Sequence, residues 1–227
     1  PGRVAGLLLA VAACGWRAPA PEWGAARFAM LDVGQGLAAV VETRNHVLVY
    51  DVGPAFRSGS DTGALVVEPY LRHRGLRRVD ALVVSHDDLD HSGGVASLAR
   101  SMPVHRRFTN GHELDARGAV ERCQRGQGWR WDGVDFEWLH PGEDLPPGDN
   151  DRSCVLRVRV GPHVLLLTGD IERLAEAEIL RQGGPGRVDV LTVPHHGSRT
   201  SSTFDFVDAT RPRWALVPSG HRNRWGF

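Results

Sequence analysis

The chain contains no lysine. All 27 of its basic side chains are arginine, and 27 aspartates and glutamates balance them to a formal net charge of zero. With no global field to draw in a polyanion, any nucleic-acid contact has to come from local patches. The missing lysine also points to a coding bias, which makes any single arginine weak evidence for phosphate recognition. Cysteine is scarce: Cys14, Cys123 and Cys154 lie far apart and form no CxxC. That spacing excludes a disulfide framework and a thiolate zinc site, and leaves open one isolated disulfide. Long apolar runs are lacking too. The first, residues 4–16, falls short of the about 20 residues that a membrane span needs. It reads as the tail of such a span, a signal-peptide core or a buried strand. What remains is ordinary: 227 residues, 41% hydrophobic and 24% charged, which excludes a disordered or fibrous chain.

After an extended Ala-Pro-Ala-Pro linker at 18–21, short β-type runs begin at 28–33, 37–43 and 46–52. Thr43-Arg44-Asn45 reads as a hairpin turn between the last two. Residues 62–74 carry helical spacing interrupted by Pro69. Residues 79–85 form a dense β-branched strand, and a helix is expected over 94–100. The stretch 103–131 is ambiguous, with one helix expected at 113–124. Strands resume at 134–139, 154–160 and 163–168, and the loop 140–153 is rich in Pro, Gly and Asp. An amphipathic helix at 171–181 is closed by Gly183-Gly184, and strands follow at 188–193 and 214–218. Strands and helices mixed in this order predict a layered α/β domain with buried sheets.

The chemistry concentrates after three of these strands. Ser85-His86-Asp87-Asp88-Leu89-Asp90-His91-Ser92 follows a buried strand and precedes a helix, where functional loops commonly lie. Residues 87–90 alone could be a solvated acidic loop with Ser92 as a helix cap, but histidines flank them. Leu167-Thr168-Gly169-Asp170 ends another strand in a carboxylate that either caps a helix or binds an ion. Pro194-His195-His196-Gly197-Ser198 ends a third in paired histidines. With no thiolate available, side chains converging from strand ends suggest a divalent centre that neutralises the carboxylates. The count suggests two ions: His86 with Asp88 on one, Asp90 with His91 and one of His195 or His196 on the other, and Asp170 between them.

This pattern, HxDxDH followed by TGD and HHGS, resembles the metallo-β-lactamase superfamily, whose usual first motif is HxHxDH. Within it the chain is most similar to the domain found in the competence DNA-uptake channel ComEC (ComEC/Rec2). The likeness rests on residues 31–36, the SHDDLDHSGG loop, residues 150–153, residues 167–170 and residues 194–198, and covers roughly 27–226. It implies a four-layer αββα sandwich with a dinuclear site at one edge. It also implies that residues 1–26 are the end of a membrane segment plus a linker, and that 27–227 form the domain, with a truncated C-terminus. The implied protein sits in the inner membrane, with this domain on the periplasmic or extracellular face, joined to the channel portion of the same polypeptide. The implied substrate is DNA, expected single-stranded, cleaved by a metal-dependent nuclease that degrades the non-transported strand. Asp88 replaces a histidine with a hard oxygen, which should shift preference from Zn2+ toward Mn2+ foremost, or Mg2+. Competing readings are a hydrolase of small phosphodiesters or lactones and a non-catalytic, metal-stabilised DNA gate.

Several further residues are candidates for substrate contact or support. Asp32 lies in a GxGxxA loop that is followed by a strand rather than a helix, which argues against a dinucleotide site. Asp51 is either structural or orients a ligand histidine. His140 is either a turn residue or a third ligand, and Asn150, Ser153 and Ser198 could orient a phosphate or water. His112-Glu113 lacks the second histidine of a zincin. Arginine clusters at 72–78 and 199–224 are either solvated faces or, if they flank the metals, a track for a nucleic-acid backbone.

Overall fold

A computed structural model describes residues 19–111, 119–143, 148–221 and 223. The apolar run at 4–16, His112-Glu113, Arg222 and Arg224 lie outside these residues. No helix among the described residues is long and apolar enough to cross a membrane.

Two six-stranded sheets face each other. The first runs in chain order through β1 (Arg27–Met30), β2 (Ala38–Glu42), β3 (Val47–Val52), β4 (Val79–Val83), β5 (Val104–Phe108) and β6 (Val120–Glu121). The second holds β7 (Gly128–Trp131), β8 (Val134–His140), β9 (Val155–Val160), β10 (His163–Leu167), β11 (Val190–Thr192) and β12 (Trp214–Leu216). Among the described residues, five α-helices accompany them: α1 (Glu68–His73), α2 (Leu89–Ser92), α3 (Val95–Ser101), α4 (Arg173–Arg181) and α5 (Phe204–Thr210).

The strands lack polar alternation because both of their faces are covered. In β3, Leu48 and Tyr50 point between the sheets, while Val47 and Val49 point to a layer closed by Leu71 of α1 and Leu98 of α3. In β10, Leu165 and Leu167 face the first sheet, and Leu166 meets Ala175 and Ile179 of α4 and Phe206 of α5. The result is the expected four-layer αββα sandwich.

Two expectations change. The helix predicted at 113–124 does not extend through its described part, where Val120–Glu121 pairs with β5 as a parallel edge strand. Its apolar spacing was too sparse to separate helix from strand. Pro69 does not break the 62–74 helix: a π-helical turn at Gly63–Val67 leads into α1, so the proline falls in its first turn, where a missing N–H costs nothing. The open cysteine question resolves to a Cys123–Cys154 disulfide.

β3, β4 and β5 run parallel, as do β10, β11 and β12. Their carboxyl ends share one edge of the sandwich. The residues that follow β4, β10 and β11 therefore arrive at the same place.

Candidate metal centre

Ser85 and His86 leave the end of β4, and α2 turns Asp90 and His91 back beneath them. A tight backbone approach fixes this loop. Gly36 (φ +130°) faces the Asp90 carbonyl so closely that a Cβ there would lie 2.2 Å from its oxygen. Across the edge, Gly169 packs against Ser85 and Ser153 and delivers Asp170. His195 (φ 47°) and His196 (φ 54°) both adopt left-handed backbone, which is costly without a compensating role. The turn sends His196 into the site.

Two overlapping groups of donors result: His86, His91 and Asp170, and Asp90, His91 and His196. His91 Nε2 lies 3.1 Å from Asp170 Oδ1 and 3.3 Å from His196 Nε2. His196 Nε2 lies 3.2 Å from Asp90 Oδ2 and 3.1 Å from Asp170 Oδ2. Donors around one tetrahedral ion at about 2.1 Å stand roughly 3.4 Å apart, so these separations suit a shared cation.

The hydrogen-bond partners behind the rings make the case stronger. His196 Nδ1 is 2.8 Å from the Pro218 carbonyl, which can only accept, so Nδ1 carries the proton. His91 Nδ1 donates in the same way to Asp51 Oδ2 at 2.8 Å. Asp51 also accepts from the Ser85 amide (2.7 Å) and hydroxyl (2.8 Å), and that hydroxyl oxygen then takes His86 Nδ1–H at 3.0 Å. All three imidazoles are thus held as Nδ1–H tautomers with their Nε2 lone pairs facing inward. His86 Nε2 and Asp170 Oδ1 are buried without any hydrogen-bond partner. Lone pairs and carboxylates that converge without a donor describe a cation site.

In the metal-free protein, protons fill this role. Burial pushes His196 down, but Asp170 and Asp90 outweigh it and lift its pKa to about 9. Burial opposes the charge on His91 as well, and Asp170 and then Asp51 raise its pKa well above the usual value. Burial would raise the Asp170 carboxyl, yet His91 and His196 hold it well below the usual range. Asp90 is lowered against its burial, chiefly by His196.

Not every predicted residue joins the cluster. Asp88 has 56% of its side chain exposed; it lies 3.5 Å from His86 Nε2, at the mouth, outside both donor groups. His195 turns away, its Nδ1 3.0 Å from Glu172 Oε1 and from Thr200 Oγ1. His140 is buried, but its Nε2 meets the Asp151 carbonyl at 2.7 Å, and it lines a separate cavity with Arg125 and Glu178. Of its two readings, this placement favours the turn residue over the third ligand. Among the described residues, the Asn150 side chain reaches Glu172, at 3.5 Å. Ser153 does serve the site, holding the Asp170 amide at 3.1 Å and lying 3.4 Å from His86 Nδ1. Asp32 and Ser198 line the cavity in front of the donors. Sequence reasoning missed Ser85 and the Pro218 carbonyl: a serine beside a histidine carries no signal, and a backbone carbonyl carries none at all.

The first arginine cluster does not flank this site. Arg72, Arg74 and Arg78 pair with Glu68, Glu42 and Asp80. Arg78 precedes β4, which puts it a strand length, roughly 16 Å, from His86 at the opposite edge. Arg211 pairs with Asp208, and Arg213 precedes β12. Of the described arginines in both clusters, only Arg199 follows the site loop directly. The cavity measures about 1290 Å³, and its described lining includes Asp32, Asp88, Asp90 and Asp170 but no arginine.

The metallo-beta-lactamase superfamily matches residues 31–221 of this chain. The chain is 36% identical over 197 residues to "Recombination protein 2" of Haemophilus influenzae, covering 87% of this chain and 24% of that protein. It is 40% identical over 197 residues to "Competence protein ComA" of Neisseria gonorrhoeae, covering 86% and 27%. These relatives bear out the resemblance to the ComEC/Rec2 branch, and the chain spans about a quarter of their length. The solved structure of the metallo-beta-lactamase fold protein YhfI from Bacillus subtilis aligns with a TM-score of 0.54 at 12% identity, covering 87% of this chain and 88% of that one. That likeness concerns the fold alone; divalent-metal binding is what the superfamily match implies, and the donor groups above are suited to it. The sequence match and the sandwich coincide over nearly the same residues, and the chain belongs to the metallo-beta-lactamase superfamily.

Proposed function

We propose that this chain is a metal-dependent deoxyribonuclease acting on single-stranded DNA during uptake, degrading the strand that is not transported. The observation that carries the reading is the convergence of three imidazoles, each anchored through Nδ1, on the Asp90 and Asp170 carboxylates. His86, Asp90, His91, Asp170 and His196 would hold two divalent ions, and Mn2+ would be preferred over Zn2+ or Mg2+ if Asp88, 3.5 Å from His86 Nε2 at the mouth, added its oxygen. Bound there, they supply the charge that lowers the pKa of a water and offsets the phosphate. His86, His91 and His196 would present their Nε2 lone pairs to the metals, and buried Asp170 lies 3.1 Å from both His91 Nε2 and His196 Nε2. Asp90, with 33% of its side chain exposed, takes the proton of the attacking water.

The names of the relatives support the link to competence, and the Cys123–Cys154 bridge fits an oxidising compartment outside the cytoplasm. The domain is then the outward-facing part of an inner-membrane protein, attached to a channel portion of the same polypeptide. The test is Mn2+-dependent cleavage of labelled single-stranded DNA. Asp90→Ala, His91→Ala and His196→Ala are expected to abolish it, and His195→Ala to leave metal binding intact. Tight DNA binding with no turnover under any divalent metal would overturn the nuclease in favour of a gate. Turnover of small diesters or lactones but not of DNA would favour the small-substrate hydrolase.

A further inference from the structure

The metal cavity has a second wall, opposite in character to the first. Phe56, Leu65 and Leu89 line it and remain 44%, 59% and 70% exposed. Large apolar side chains left in water and gathered at one site mark a binding surface. Leu89 sits between Asp88 and Asp90 in sequence, so this surface begins where the metal donors end.

The wall is also rigid. Phe56 stands on a short strap: its amide donates to the Ser60 carbonyl at 2.8 Å, and its carbonyl accepts from Gly59 N at 2.9 Å. Ala55 and Asp61 bridge the base of the strap. Below it, Thr62 Oγ1 donates to the Val52 carbonyl at 2.6 Å, and Asp61 Oδ1 takes the Ser97 hydroxyl and the Ala64 amide. Gly93 lies so close that a Cβ would come 2.2 Å from the Ala55 amide. A backbone held this way leaves only the Phe56 side-chain rotamer to be ordered on binding.

We infer that Phe56, with Leu65 and Leu89, forms a stacking platform for an unpaired nucleobase of the strand whose phosphate sits at the metals. This rests on the nuclease reading above and gives that site its preference for single strands. The described lining carries four carboxylates and no arginine, so apolar contact with bases is the affinity that this wall supplies to a strand. Every base has a π-face, so the platform is sequence-tolerant. Bases inside a duplex are already stacked and paired and cannot reach it. At about 1290 Å³ the cavity also exceeds what a small ligand fills, leaving room for a nucleotide and its neighbour.

The experiment compares an oligodeoxynucleotide with an all-abasic strand of equal length, using the purified chain in Mn2+. The wild type should favour the strand with bases by roughly 5- to 100-fold in KM, with similar kcat. Phe56→Ala should close that gap, and Phe56→Trp should keep it. A gap of equal size in Phe56→Ala, or none in the wild type, overturns the platform and leaves the nuclease reading standing. If no strand is cleaved at all, the nuclease reading fails. Fluorescence anisotropy of the same two labelled strands then decides the platform by whether the base preference in binding disappears in Phe56→Ala.

Discussion

Replacing Asp51 by asparagine isolates what the residues behind the metal site contribute. The backbone at Asp51 is left-handed (φ 57°), a conformation asparagine tolerates, and the side chain is fully buried, so shape and strain are preserved. The carboxylate accepts three hydrogen bonds: from Ser85 N, Ser85 Oγ and His91 Nδ1. An amide can keep its oxygen on the Ser85 amide only by turning its NH2 toward His91 and the serine hydroxyl. The hydroxyl can rotate and accept. His91 cannot keep its Nδ1 proton facing a donor, so the proton moves to Nε2 and occupies the lone pair aimed at Asp170. The substitution therefore leaves every donor in place and spoils one tautomer.

Loss of a group that orients a ligand typically costs 10- to 100-fold in metal affinity, or about 1.4 to 2.7 kcal/mol. Calorimetric titration of metal-stripped protein with Mn2+ measures it, and circular dichroism establishes that the variant is folded. An Asp51→Asn protein that binds Mn2+ within twofold of the wild type would refute the reasoning, because His91 Nε2 would then not be a ligand atom.

Three further outcomes follow from the geometry. Gly36→Ala should displace the Asp90 carbonyl, because its Cβ would lie 2.2 Å from that oxygen at φ +130°; Mn2+ binding should fall more than global stability, read by titration against thermal melting. Cys123→Ser opens a loop of sequence separation 31 and should lower unfolding free energy by about 3–4 kcal/mol in denaturant titration. In chelator, the pH dependence of stability has a definite sign. The pKa of His196 rises on folding from 6.5 to about 9, so its stabilisation is complete below pH 6.5 and is lost as pH climbs through about 9. The Asp170 contribution is present above its ordinary 3.8 and is lost as pH falls below it. The melting temperature of metal-free protein should thus decline between pH 6.5 and 9; a flat profile there would sink the assignment.

The sandwich was legible because its strands are buried on both faces. Val-Leu-Val-Tyr in β3 and Leu-Leu-Leu in β10 read as continuous apolar runs, and only enclosed sheets need those. Elements that pack through few residues were not legible. β5 carries Val104 and Phe108 around polar positions and leans on β4 for its identity. α5 buries only Phe206 and Thr210 and is held from outside, as Glu176 of α4 accepts from the Ser202 and Thr203 amides at its start. Local periodicity could not reveal an anchor contributed by another helix.

At the site, the groups that could touch an ion were visible, while those that decide how they do so were not. His86, Asp90, His91, Asp170 and the histidine pair stand out because carboxylates and imidazoles are rare at the ends of buried strands. The choice between His195 and His196 depends on two successive left-handed residues, which give neighbouring side chains opposite directions; no residue-type pattern encodes that turn. The tautomers depend on Asp51, Ser85 and the Pro218 carbonyl, brought in from three different strand ends. The bonds that fix His91 and His196 are therefore long-range in sequence, and Ser85, although it adjoins His86, is itself oriented by the distant Asp51. A transplanted HxDxDH segment would carry His86, Asp90 and His91 but not the acceptors that bare their Nε2 atoms. Metal affinity in this chain is consequently a property of the closed sandwich edge, and a loop peptide of the same sequence lacks the means to reproduce it.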